Sequence, residues 1–284
     1  EQHVRRAGED LRAGARVLLA GARIRPAEIA MLATIGRASV AVVRRPRVAV
    51  FSTGDELADI VQGELPPPGK IRDSNRYTLA ALARDCGAEV VSIDRLPDDL
   101  EVTTTALRAA VASEPPPDVI LTAGGVSVGD RDFVKPAVER LGRLMLWRVA
   151  VKPGKPLAVG RVGRALLIGL PGNPISAMVT FELFARPALL KMAGASGADL
   201  RRWSVEARLT DPVTHMPGRT ELVRARTVWN ERGPEGPGVF EATPAGAQGS
   251  GMLQSAVRAN SLLVIPDAQG DVAAGEIVRV ILTE

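Results

Sequence analysis

Between Arg47 and Gly194 the chain alternates short apolar runs with stretches of helical period: RVAVFS, NRYTLAALARDCG, AEVVSI, DDLEVTTTALRAAVA, DVILTA, FVKPAVERLG, LMLWRVAV, ALLIGL and NPISAMVTFELFARPALLKMAG. Continuous Val/Ile/Leu runs of strand length are what strands buried on both faces require, and their alternation with amphipathic helices predicts βαβ units. Residues 47–193 are therefore read as an α/β domain, three layers (α/β/α) with a mainly parallel sheet. Ahead of it, residues 1–46 break into turn-separated pieces. RAGARVLLAGARI predicts a hairpin around Gly21, and PAEIAMLATIG a short helix opened by Pro26 and stopped by Gly36, together an accessory segment. Beyond a hinge at Gly194 to Gly197, short Thr/Val/Arg strands broken by GPEGPG and TPAGAQGSG, and ending in LLVIP and EIVRVILT, predict a small all-β domain over 200–284.

Composition narrows the function classes. The 284 residues, 46% hydrophobic and 24% charged, can bury a core without disulfide or metal staples. Aromatics make up only 3%, with Tyr77 the single tyrosine, so stacking platforms for nucleic acid lack material. The net charge of +4 is spread along the chain and carried mostly by arginine, which suits a small anionic substrate and makes the few lysines stand out. One cysteine, Cys86, read as a mid-helix core residue, and two histidines, His3 and His215, exclude a disulfide framework and a Cys/His zinc site. They point to a cytoplasmic protein. No apolar run reaches the roughly 18 residues of a membrane span, and no signal-peptide core is present at the start.

Each apolar strand of the α/β domain is followed by a polar or glycine-rich turn: STGDEL, LPDD, TAGGVSVGDRD and LPGNP. In open α/β sheets ligands bind beyond the carboxyl ends of the strands, so four such turns predict one site. Its carboxylates are Asp55, Glu56, Asp73, Asp98, Asp99, Asp130 and Asp132. Asp73 before NRYTLAAL and Asp98 before LEVTTTAL also fit as helix caps, and for them capping and chemistry both stay open. That many carboxylates on one rim call for a positive partner, for which Mg²⁺ is the natural candidate. Opposite them stand Arg148, Lys152 and Lys155 in WRVAVKPGKPL, where two prolines and a glycine stiffen a turn suited to clamping an anion. Gly124 and Gly125 would let backbone amides approach an anion, with Ser127 adding a hydroxyl, and Asn173 and Pro174 would open a helix whose N-terminus, with Ser176, faces an oxyanion. No Ser-His-Asp or Cys-His arrangement is available, which leaves metal-assisted transfer on an anionic substrate.

STGDEL, IRDSNR, LPDD, GGVSVGDRDF, KPGKPL and GLPGNPISA, in this order, closely resemble the molybdopterin molybdenumtransferases, the last enzymes of molybdenum-cofactor biosynthesis, related to the E domain of gephyrin. The resemblance implies a transferase that takes adenylylated molybdopterin and molybdate and releases AMP with Mg²⁺. It assigns Glu56, Asp98, Asp132, Lys152 and Lys155 to catalysis. Asp73, Ser74, Asn75, Gly124, Gly125, Ser127, Arg148, Pro171, Asn173, Pro174 and Ser176 would bind pterin or molybdate, and Asp55, Asp98, Asp130 and Asp132 would hold the metal. It further implies a homodimer that works beside the molybdopterin adenylyltransferase. Family members carry a further N-terminal lobe that completes the site, so this chain is expected to be an N-terminally truncated member of low turnover. The alternatives are the sibling adenylyltransferase, which lacks a trailing β domain, a non-catalytic gephyrin-type scaffold, and a nucleic-acid binder, the least favoured.

Overall fold

The computed structural model describes residues 4–127, 129, 132–231 and 238–283. In the accessory segment, α1 (Pro26–Thr34) starts at its proline and runs to the turn at Gly36, but it buries none of its side chains. The expected hairpin does not form. Gly21 makes a turn with φ of +87°, yet neither flank is a strand. Leu19 is 63% exposed, and a two-stranded hairpin with no packed face is not stable in water.

The α/β domain follows as β1 (Arg47–Thr53), a minor ribbon of β2 (Leu57–Ala58) and β3 (Ile71–Arg72), α2 (Asn75–Asp85), β4 (Glu89–Leu96), α3 (Leu100–Ala112), β5 (Val119–Ala123), α4 (Val134–Leu141), β6 (Gly142–Trp147), β7 (Val151–Lys152), β8 (Ala158–Val162) and β9 (Ala165–Leu170). A final helical stretch comprises α5 (Pro174–Thr180), a π turn over Phe181–Ala185 and α6 (Arg186–Met192). The six-stranded sheet has the order β4-β1-β5-β9-β8-β6. It is parallel through its first four strands, with β8 antiparallel to both neighbours, so the predicted three-layer, mainly parallel architecture is present. Strand periodicity builds the layers. Val48 and Val50 face Leu79, Ala83, Phe181 and Leu189 from α2, the π turn and α6, whereas Ala49 and Phe51 face Leu107, Val134 and Val138 from α3 and α4. Cys86 closes α2 at its C-cap, not mid-helix, and packs against the first of these clusters.

LMLWRVAV is two strands, not one. β6 stops at Trp147, Arg148 turns the chain with φ of +70°, and β7 leaves the sheet to pair with the C-terminal domain. That domain contains β10 (Ser204–Leu209), β11 (Thr220–Asn230), β12 (Val239–Pro244), α7 (Leu253–Arg258), β13 (Ser261–Ile265) and β14 (Ile277–Leu282). Its pairing runs β12-β10-β14-β13-β11 and returns from β11 to β12, a closed small barrel whose interior holds Leu209, Val223, Leu263 and Val280. β7 is added parallel to β11. Most of the GPEGPG stretch lies outside the described residues. Among the described residues no helix is long and apolar enough to cross a membrane.

Candidate functional site

Thr53 pairs with Leu96, Ser52 with Ala123 and Ala123 with Leu170, so the carboxyl ends of β1, β4, β5 and β9 share one edge of the sheet. β6 runs in the same sense, because both it and β9 are antiparallel to β8, and the WRVAVKPGKPL turn therefore opens on that edge too. Five turns open on this edge where the sequence predicted four, and the fifth brings the lysines to it.

The STGDEL and LPDD turns are tied to each other by a reciprocal pair of hydrogen bonds. The Asp55 N–H donates to Asp98 Oδ2 (3.3 Å), and the Asp98 N–H donates to Asp55 Oδ1 (3.1 Å). Asp98 is thus not the cap of α3. Asp99 is, its Oδ1 accepting from the Val102 N–H at 2.8 Å. The exposed Glu56 carboxylate folds over Gly54, and the φ of +150° there favours glycine. Asp73 is fully buried. It accepts from the Ser52 hydroxyl and the Arg76 N–H (3.3 Å) and stands 3.2 Å from Arg76 Nε, so it anchors the DSN turn. Ser74 is the N-cap of α2 without a side-chain hydrogen bond, and Asn75 donates to the Gly172 carbonyl at 2.7 Å, joining the DSN and LPGNP turns.

The glycine pair packs closely against the protein itself. A Cβ on Gly124 would sit 2.7 Å from both the Thr53 carbonyl and its Oγ1, and one on Gly125 2.8 Å from Val134, so the missing side chains make room for protein. The Gly124 N–H is spent on the Leu170 carbonyl (3.0 Å). Ser127 is exposed, and Asp132 Oδ2 accepts from the Gly129 N–H at 2.6 Å, shaping its own loop. Asp130 lies outside the described residues. At LPGNP, Pro171 is buried, and Asn173 is the N-cap with no side-chain hydrogen bond. The buried Ser176 follows Pro174 on the first turn of α5. The expected free helix N-terminus is partly taken, because the Ile175 N–H donates to the Ser250 carbonyl of the barrel at 3.1 Å.

The lysine turn is wedged between the two domains. Gly154, at φ of +120°, abuts Thr180 of α5, where a Cβ would come within 2.4 Å of a methyl group. Lys152 Nζ meets the buried Glu221 carboxylate of β11 at 2.9 Å, so this ammonium is partly neutralised. Lys155 is exposed and makes no ion pair among the described residues, which leaves it the freer cation. Arg148 stacks at 4.1 Å on Trp147, whose ring also carries Lys135 at 4.1 Å. The sequence reading missed Arg224. It is 2% exposed and donates to Ser255 Oγ (2.7 Å), the Ala247 carbonyl (3.1 Å) and the Gly249 carbonyl (3.3 Å), while its buried Nη1 has no partner among the described residues. Its other contacts tie β11 to the 247–249 loop, whose next residue reaches α5. The signal was an arginine following the apolar Leu222 and Val223 in TELVRA.

Among the described residues no three acidic, histidine or cysteine side chains converge on one point. Such a donor set does not make a closed protein cage, but it suits Mg²⁺, which takes one or two carboxylates and completes its shell with water and substrate phosphates. A concavity of about 2240 Å³ lies elsewhere, between the accessory segment and α2 and α6, and holds none of the site turns.

Residues 49–191 match the family described as "Probable molybdopterin binding domain", residues 206–283 the "MoeA C-terminal region (domain IV)" and residues 1–36 the "MoeA N-terminal region (domain I and II)". The molybdopterin molybdenumtransferase of Haemophilus influenzae is 36% identical over 98% of this chain and 66% of its own length. The Bacillus subtilis protein of that name is 34% identical over 99% and 62%, and Dictyostelium discoideum gephyrin 35% over 99% and 42%. The chain thus spans between 42% and 66% of these relatives. A molybdopterin biosynthesis MoeA structure from Pyrococcus horikoshii superposes with a TM-score of 0.77 at 28% identity, covering 97% of this chain and 63% of that one. A molybdenum cofactor biosynthesis protein from Pyrococcus furiosus gives 0.71 at 26%, covering 97% and 82%.

Proposed function

The chain belongs to the molybdopterin molybdenumtransferase family, and from that premise we propose that its five-turn edge takes adenylylated molybdopterin and molybdate, cleaves the phosphoanhydride and releases AMP as the metal enters the pterin. The observation that carries this reading is the convergence of the Asp55–Asp98 pair, Glu56 and the lysine turn on one edge of one sheet. Lys155 and Lys152 supply positive charge for molybdate and the phosphates, and the Ser176 hydroxyl stands on the adjoining helix turn. Glu56, Asp98 and Asp132 are the carboxylates that act on the adenylyl end. A Mg²⁺ ion held by one or two of them with substrate phosphate oxygens would neutralise charge on the leaving AMP. No protein cysteine is needed, since the pterin's own sulfurs take the metal. The protein works in the cytoplasm as a homodimer, supplied by the enzyme that adenylylates the pterin.

The test is single-turnover AMP release from adenylylated molybdopterin, with the 284-residue chain and with a form extended by any upstream coding sequence. Release that requires both molybdate and Mg²⁺ is expected. Bound substrate that yields no AMP in either form refutes the reading, and consumption of ATP to make the adenylylated pterin would assign the chain to the sibling reaction.

A further inference from the structure

We propose that Glu221 of the barrel is a positioning residue that fixes the Lys152 ammonium at the site, with His215 bracing Glu221 from behind; this rests on the transferase reading above. Glu221 is 6% exposed, and both its oxygens meet Lys152 Nζ, at 2.9 and 3.1 Å. A carboxylate buried to that degree is stable only when its charge is met. The backbone enforces the pairing: Lys152 and Glu221 are register partners where β7 joins β11, and the Thr220 N–H donates to the Ala150 carbonyl at 3.1 Å.

On the far side, His215 Nε2 stands 3.8 Å from Glu221 Oε2. The imidazole is itself immobilised, with Nδ1 2.8 Å from the Gln269 carbonyl and Nε2 3.0 Å from the Arg219 carbonyl, and the His215 N–H donates to Asp271 Oδ1 at 2.8 Å. Glu221 is therefore gripped between a fixed ring and the lysine. The Lys152 side chain remains 47% exposed, so one flank of the ammonium is held by Glu221 and the rest is open to an incoming anion. An ammonium carries three donors on a flexible stem, and spending one or two on Glu221 leaves the remainder in a defined direction. Lys155, three residues on, has no such carboxylate among the described residues, and the two lysines divide the work: Lys155 attracts the anion and Lys152 orients it.

The chain has five lysines, few enough for each side-chain ammonium to be resolved by NMR after ¹⁵N-lysine labelling, with Lys152→Arg and Lys155→Arg identifying two of them. In the unmutated chain the Lys152 ammonium protons are expected to exchange with water at least about fivefold more slowly than those of Lys155, because ion pairing protects them. Glu221→Gln, which keeps the shape but removes the charge, should abolish that difference while the other lysine signals stay in place. In steady-state AMP release the same variant should lower kcat about tenfold with KM within about twofold, the mark of lost orientation rather than lost binding. Equal exchange of Lys152 and Lys155 in the unmutated chain overturns the proposal, a result that needs no variant to fold. So does unchanged Lys152 protection in Glu221→Gln, or a raised KM at constant kcat. The exchange measurement uses no substrate, so a protein that releases no AMP refutes the transferase reading without touching this one.

Discussion

Replacing Asp99 by alanine removes the side chain that caps α3, and replacing its neighbour Asp98 by asparagine removes a charge without removing a contact. The Asp99 cap is a single 2.8 Å bond at an exposed helix start, and losing such a cap costs about 1 kcal/mol, or about 2–4 °C in melting temperature for a chain of this size. Asp98→Asn keeps an oxygen to accept from the Asp55 N–H, and the Asp98 N–H still reaches Asp55 Oδ1 at 3.1 Å. Its stability should therefore change by no more than about 0.5 kcal/mol. The lost negative charge is one of those proposed to act on the adenylyl phosphate, and removing a group of that kind typically costs about 100-fold or more in rate. Thermal unfolding followed by circular dichroism, alongside single-turnover AMP release, separates the two: Asp99→Ala melts lower at full rate, and Asp98→Asn melts normally with little release. A matching rate loss in Asp99→Ala, or a larger melting shift in Asp98→Asn, would refute the division between the neighbours.

Lys155→Ala should weaken molybdate binding by about 1.5–3 kcal/mol, the range of charge-assisted hydrogen bonds, at unchanged stability by calorimetry and urea melts. Lys152→Ala should in addition destabilise by about 1–3 kcal/mol, since it strands the buried Glu221 carboxylate. Gly124→Ala, at φ of +94° and 2.7 Å from the Thr53 carbonyl, should cost at least about 2 kcal/mol of unfolding free energy in the same melts. Burial, reinforced by Glu182, pushes the Cys86 thiol up to about 11. At pH 8 its thiolate fraction, and with it the rate of reaction with a disulfide reagent, should be about 100-fold below that of an ordinary thiol and recover on unfolding.

The central domain was readable because its inner strands are doubly buried. Val119 to Ala123 are all buried and apolar but for Thr122, and the neighbouring helices carry one apolar face each. The β6–β7 break was not readable, since its cause is a left-handed Arg148, a conformation that an arginine codon does not announce as a glycine would. Asp98 and Asp99 both satisfy the rule for a cap, and only the three-residue reach from Asp99 to Val102, with Asp98 committed to Asp55, decides between them. At Gly124 the sequence suggests close backbone approach to an anion, and the close neighbour in the fold is Thr53, 71 residues away, which local sequence does not reveal. Glu221 and Arg224 escaped because site residues were sought at the ends of the parallel strands, and these two reach that edge only through the pairing of β7 with β11.

That pairing also explains why the site cannot be assigned to the α/β domain alone. A Pro-Gly turn by itself leaves two lysine side chains with all their rotamer freedom, and ordering them opposes tight anion binding. Here Gly154 is pressed on Thr180 from one side and Lys152 is paired to Glu221 from the other, so both domains must be docked for the turn to have its geometry. The docking surface is apolar: Ile175 and Val179 of α5 lie against Leu222, Leu262 and Val264 of the barrel, all at most 7% exposed. The Ser250 carbonyl on the Ile175 N–H, with the loop behind it held by Arg224, places the barrel directly over the LPGNP turn. Burying those side chains holds the domains together, and the polar contacts at the same interface set where the cations stand. A change that loosened the barrel by even a small rotation would therefore act first on the position of Lys152 and only afterwards on the stability of the fold.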